Sequence, residues 1–216
     1  MNATAKPHLF DFWRSSASYR VRIAMHSLGL EFTTTPVSIP AGEHGSREHL
    51  ARNPQGFLPV LDIDGLRLTQ SVSIIQYLDE TRQGGFLPEN AAGRARVRAL
   101  SHVIAMETHP VCNPYLVNHV LELAGGDNDM RIEWMKTFIR RGLSAFEALL
   151  DHDATGDFCH GDTPGLADFC LVPQVYNANR WGADISDMPR LAAISQRCEA
   201  LPAFAAAHPD HYNPDA

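Results

Sequence analysis

No cysteine occurs before Cys112, and the four present, Cys112, Cys159, Cys170 and Cys198, show neither a CxxC pair nor zinc-type spacing. A disulfide-scaffolded domain is excluded. The HExxH motif is missing despite eleven histidines, and His208 and His211 sit among Pro and Asp in a loose end, so no metal site is expected. No run approaches the ~20 apolar residues of a membrane span, and the opening Met1–His8 lacks the apolar core of a secretory leader. The expected address is cytoplasmic. Positive charge is in deficit: 18 Lys and Arg face 25 Asp and Glu, a formal net charge of −7. Such a field repels phosphate backbones and anionic lipid, so neither nucleic acid nor a membrane is expected as a partner.

What is present is the balance of a folded globular chain, 44% apolar and 20% charged over 216 residues. At ~100 to 200 residues per domain this suits one large domain or two small ones. The first 80 residues alternate short strand and helix signals. His8–Phe12 reads as a strand, and Val21, Ala24, Met25 and Leu28 then mark one face of a helix over Ser18–Leu28, stopped by Gly29. Phe32–Ile39 is the next strand, and Ser46 caps a short helix over Arg47–Arg52 that Asn53-Pro54 ends. Leu58–Ile63 and Leu66–Leu68 flank Asp64-Gly65, the strongest hairpin signal in the chain, with Pro59 confined to a strand start or edge. Ser71 opens a helix through Arg82.

From Ala91 onward the strand signals vanish. Val97, Leu100 and Ile104 mark one helix face; Ile132, Met135, Ile139, Leu143, Phe146 and Leu150 mark a longer one; Leu191, Ile194, Cys198 and Leu201 mark a third. The Gly- and Pro-containing stretch Gln83–Asn90 punctuates the two halves.

The order β-α-β then β-β-α, with a proline opening the third strand, is similar to the thioredoxin-like plan. Arg14-Ser15-Ser16-Ala17-Ser18-Tyr19-Arg20-Val21-Arg22-Ile23-Ala24 resembles the signature of zeta-class glutathione transferases, in which Ser-Ser-Cys opens the first helix; here Ala17 replaces the Cys. Asn53-Pro54-Gln55-Gly56, Leu58-Pro59-Val60-Leu61, Gln70-Ser71, Gly161-Asp162-Thr163-Pro164 and Leu171-Val172-Pro173-Gln174-Val175 also look like this class. The resemblance implies an α+β architecture, a thioredoxin-like glutathione-binding domain over 1–84 followed by an all-α substrate-binding domain over 85–216. It further implies a homodimer.

The implied cofactor is glutathione, and the implied reaction is cis-trans isomerisation of a maleyl dicarboxylate such as maleylacetoacetate or maleylpyruvate. Conjugation of halogenated or other electrophiles is the alternative within enzymes, and a non-catalytic glutathione-binding protein is the alternative outside them. The absence of cysteine near Ser15 argues against dithiol redox chemistry on the same fold. By the resemblance, Ser15 and Ser16 stabilise the thiolate at a helix N-terminus, where a partial positive charge and unsatisfied N–H groups favour an anion. A cis peptide before Pro59 would leave the edge next to Val60 free to pair with the peptide's backbone. Gln70 and Ser71 hold the γ-glutamyl carboxylate, and Gln55 reaches the glycyl end. Arg180 is expected to grip a substrate carboxylate between the domains, with His109 and Asn113 as further contacts. Pro114 stands where some bacterial members carry Arg. Gly165 and Asp168 fall where the fold usually caps its central helix with a hydroxyl residue and an Asp three positions on, and Asp168 is expected to bond back to the Gly165 N–H.

Overall fold

The computed structural model describes residues 6–214. Met1–Ala5, most of the segment read above for a leader, lie outside the described residues, as do Asp215 and Ala216. Two compact units are present, Met1–Gly84 with Leu201–Ala216, and Gly85–Ala200.

In the first unit, β1 (His8–Asp11) leads into α1 (Ser16–Ser27), β2 (Thr33–Pro36), a short 3-10 turn at Glu43–Gly45 and α2 (Arg47–Arg52). The hairpin β3 (Val60–Ile63) and β4 (Leu66–Thr69) follows, then α3 (Ser71–Arg82). Strand order is β2-β1-β3-β4. β1 and β2 run parallel, which a two-residue turn cannot connect, so α1 makes the crossover. β3 is antiparallel to both β1 and β4. Asp64 and Gly65 have φ of 54° and 78°, the pair of positive angles that a tight hairpin turn demands. β2 is shorter than the Phe32–Ile39 run suggests because its partner among the described residues, β1, offers four residues of ladder.

Burial along α1 exceeds the stripe that the spacing predicts. Every residue from Ser16 to Met25 is buried, including Arg20 and Arg22. Leu9, Val21, Ile23, Ala24, Met25, Val60, Leu61, Ile74, Ile75 and Leu78 form a core closed to solvent. The chain's last segment belongs here too: α10 (Pro202–Ala206) and a 3-10 turn at Pro209–Tyr212 group with the first unit. This differs from the expected division at 85–216, and the reason is specific. Arg22 Nε donates to Ala207 O at 3.1 Å, the His26 ring and Tyr212 hydroxyl lie 2.7 Å apart, and Phe204 is buried.

The second unit is helical among the described residues: α4 (Ala91–His102), a π-helical turn at Val103–Thr108, α5 (His109–Val111), α6 (Pro114–Ala124), α7 (Asn128–Leu149), α8 (Leu166–Trp181) and α9 (Pro189–Glu199). Val97, Leu100 and Ile104 are buried as their spacing suggests. The π turn forms where α7 crosses closely. Thr108 Oγ1 donates to Val103 O at 2.8 Å, and Gly142 leaves room for it, since an added Cβ would stand 1.9 Å from that oxygen. α8 is apolar on nearly all sides, hence the absence of an amphipathic signal, and it is the buried axis of the unit.

Candidate functional site

Ser15 is the N-cap of α1. Its backbone is extended, its N–H donates to Phe12 O at 2.9 Å, and its Oγ accepts the Ser18 N–H at 3.3 Å. A hydroxyl that accepts in this way still has its own hydrogen to donate. No acidic residue occupies the first turn to neutralise the helix's positive end. Ser16 is the first helical residue and is buried, whereas Ser15 is half-buried, so of the two hydroxyls solvent reaches Ser15 more readily. Ala17, in the place of the resembled Cys, is buried.

Arg14, which the sequence reading did not single out, precedes Ser15 directly. Its guanidinium lies 4.8 Å from the Trp13 ring centroid, and its Nε is buried without a hydrogen-bond partner. A half-buried guanidinium with unused donor capacity beside a hydroxyl is suited to a carboxylate. Its only sequence signal was its place next to Ser15.

At the start of α3, Gln70 has φ 68° and ψ 107° and makes no side-chain cap. A non-glycine residue held there is strained, as residues at ligand clamps often are. Its Nε2 donates to Gln55 Oε1 at 2.8 Å, so two amides read separately from the sequence form one exposed pair. Ser71, the first residue of α3, is buried, and its Oγ accepts from Arg20 Nη1 at 3.3 Å. That helix too has no acid in its first turn.

The Leu58-Pro59 peptide is cis and Pro59 is buried. The expectation at Val60 requires correction. Val60 stands opposite Phe10 on one side and Thr69 on the other, so β3 is interior and offers no free edge. Leu58, two residues earlier, lies outside the ladder, and its backbone can take the role expected at Val60. The signal was its position before Pro59.

In the second unit, Asn113 caps α6, with Oδ1 accepting the Tyr115 N–H at 3.0 Å, and Pro114 takes the first helical position, where a missing N–H costs nothing. His109 is half-buried directly after the π turn, its N–H bonded to Ile104 O. Arg180 is exposed in the last turn of α8, its guanidinium 4.8 Å from the Trp181 ring centroid. A cation also suits the negative end of a helix there. Gly165 N donates to Asp168 Oδ2 at 2.8 Å, and Asp168 Oδ1 accepts from Cys159 N at 2.9 Å. Glycine is required at 165 because an added Cβ would meet Phe86 O at 2.6 Å. Burial pushes the Asp168 carboxyl upward. Burial also pushes the Cys112 thiol up to about 12 and raises the Cys159 and Cys198 thiols, which leaves all three inert as nucleophiles at neutral pH.

Models of the glutathione S-transferase N-terminal domain and C-terminal domain match residues 5–80 and 133–206. The chain belongs to the glutathione transferase family. It is 58% identical to a maleylacetoacetate isomerase of Rhizobium meliloti over 95% of this chain and 97% of that one. A maleylpyruvate isomerase described as a bacterial zeta-class glutathione S-transferase superposes with a TM-score of 0.92 at 37% identity, covering 97% of this chain and 99% of that one. A maleylacetoacetate isomerase of Methylobacterium extorquens AM1, solved with bound malonate and glutathione, matches equally well, with a TM-score of 0.92, 37% identity and coverage of 97% and 99%. The resemblance to the zeta class therefore runs the length of the chain.

Proposed function

We propose that this protein is a glutathione-dependent cis-trans isomerase of a maleyl dicarboxylate, maleylacetoacetate or maleylpyruvate. The observation that carries the reading is Ser15 at the unneutralised N-terminus of α1, in a chain 58% identical to a maleylacetoacetate isomerase. The first unit fits the tripeptide: an exposed Gln55–Gln70 amide pair, a Ser71 hydroxyl backed by a buried guanidinium, and the Leu58 backbone outside the ladder.

Bound glutathione supplies a thiolate that adds to the activated double bond and leaves again, so that the bond rotates while it is single. The residues do the rest. Ser15 donates its hydroxyl hydrogen to the sulfur, and the α1 N-terminus lowers the thiol's pKa. A free thiol of pKa ~8.5 is only ~3% ionised at pH 7, and a drop of about two units, worth ~2.7 kcal/mol, makes the thiolate the main form. Ser16 supports the same helix end. Ser71 and Gln70 hold the γ-glutamyl carboxylate, Gln55 the glycyl end, and Pro59 fixes the approach of the Leu58 backbone. Arg180 holds a substrate carboxylate and stabilises the negative charge that develops on the substrate, with His109 and Asn113 as polar contacts.

Among the described residues no helix is long and apolar enough to cross a membrane. The reading places the enzyme in the cytoplasm as a homodimer, closed two-fold pairing being the commonest assembly. Maleylacetoacetate and maleylpyruvate offered with and without glutathione, with product geometry read by NMR, test the proposal. Fumaryl product only in the presence of glutathione is expected; a stable conjugate or no turnover would overturn it.

A further inference from the structure

We infer that Arg22 is a positioning residue for the thiol site, tying the loop that presents Ser15 to the chain's C-terminal segment. The inference rests on the reading of Ser15 given above. Arg22 lies in the middle of α1, and its side chain is closed to solvent. Its guanidinium donates to three acceptors on two separate stretches of chain: Nη1 to Asp11 Oδ2 at 2.6 Å and Nη2 to Trp13 O at 2.9 Å on one, and Nε to Ala207 O at 3.1 Å on the other. The ring centroids of Tyr212 and Tyr19 lie 4.4 and 5.5 Å from its central carbon.

Asp11 ends β1 and Trp13 is the carbonyl two residues before Ser15, so two of the three bonds hold the turn from β1 into α1. The Ser15 N–H closes that turn on Phe12 O. The azimuth of the Ser15 hydroxyl is thus referred to a group buried seven residues further along the same helix. The third bond and the Tyr212 ring come from Ala207 and Tyr212, far in sequence, which cover the guanidinium. Nothing but arginine satisfies this arrangement: a planar fork reaches three acceptors at fixed angles, whereas a lysine ammonium reaching Asp11 cannot also span Trp13 O and Ala207 O. An ion pair that served stability alone needs only Asp11. The bond to the Trp13 carbonyl is the one that speaks for positioning.

The test is Arg22→Lys, compared with wild type by residue-resolved amide exchange and by the ultraviolet absorbance of thiolate at saturating glutathione. Exchange at the Ser15 and Ser18 amides, and at Ala207 and His208, is expected to quicken about tenfold or more, while Ile74 in α3 keeps its protection. The bound thiol's apparent pKa is expected to rise, with glutathione affinity within about threefold of wild type, because Ser71 and the Gln55–Gln70 pair are untouched. Uniform loss of protection across the first unit, or none at Ser15 and Ser18, would overturn the inference and leave Arg22 a stabilising residue only. If wild type itself never shows thiolate, the functional reading of Ser15 fails, yet the exchange pattern still decides whether Arg22 holds the loop. Should Arg22→Lys not fold, the charge-balanced Asp11→Asn/Arg22→Met pair is judged by the same criteria.

Discussion

Arg20 Nη1 lies 3.3 Å from Ser71 Oγ, both groups buried, and this contact fixes what the serine can offer. With a lone pair engaged by the guanidinium, the hydroxyl's own hydrogen is left to donate to an anion, and the buried positive charge strengthens that donation. Ser71→Ala should therefore weaken glutathione binding by about 1.5 to 3 kcal/mol, roughly ten- to a hundredfold in Kd. Calorimetry at millimolar ligand measures it; an unchanged Kd would remove Ser71 from the site.

Ser15→Ala should act on the thiol and spare affinity. Loss of one charge-assisted hydrogen bond, about 1.5 to 3 kcal/mol, raises the bound thiol's pKa and slows turnover roughly ten- to a hundredfold. Because Ser15 also caps α1, the variant should lose about 1 kcal/mol of stability as well. Ser15→Asn separates the two effects, since it can restore the cap without supplying a hydroxyl. If Ser15→Ala and Ser16→Ala both leave the thiol's pKa and the rate unchanged, serine has no part in the mechanism.

Gly165→Ser would give the chain the hydroxyl cap that its fold usually has, and it should nevertheless destabilise. The new Cβ meets Phe86 O at 2.6 Å, and that oxygen already accepts the Leu166 N–H at 3.0 Å, so it cannot withdraw without breaking a bond. Overpacking of this kind costs about 1 to 3 kcal/mol, more than a better cap returns. Urea unfolding of the two proteins decides the sign.

Stability should fall as pH drops below neutrality, in part through His26. Burial, and then the neighbouring Arg22 charge, hold its pKa below 6.5. Between its folded value and the ordinary 6.5, the unfolded chain binds the extra proton, so the stability that neutral His26 contributes is present above 6.5 and lost as pH falls through that window. His26→Gln should flatten this part of the profile. An identical slope in both proteins would show that His26 does not titrate there.

Sedimentation equilibrium at micromolar concentration should report twice the chain's 23.9 kDa. A single-chain mass would count directly against the dimer.

The local chemistry of the first unit was legible in the sequence because it is set by neighbours along the chain. The Ser46 cap and the bounds Arg47–Arg52 and Ser71–Arg82 emerged as expected, and so did the Asp64-Gly65 turn, since caps, proline and positive φ act within a few residues. Ser15, Gln70 and Ser71 could be singled out for the same reason, with the resemblance supplying what they are for.

Contacts between distant stretches decided the rest. Val60 lost its expected free edge because strand order, and not strand sequence, determines which β-strand lies inside a sheet. α8 gave no amphipathic signal because a helix buried on all sides has no polar face to reveal its period. Nothing along the chain marks Arg20 and Arg22 as buried; only folding brought Ser71 to one and Asp11, Trp13 O and Ala207 O to the other. The sequence by itself determined where α2 and α3 begin and which hydroxyls, those of Ser15, Ser46 and Ser71, stand at helix ends. Tertiary structure alone decided which of these ends are backed by a buried guanidinium, because burying a charge depends on partners that lie far away along the chain.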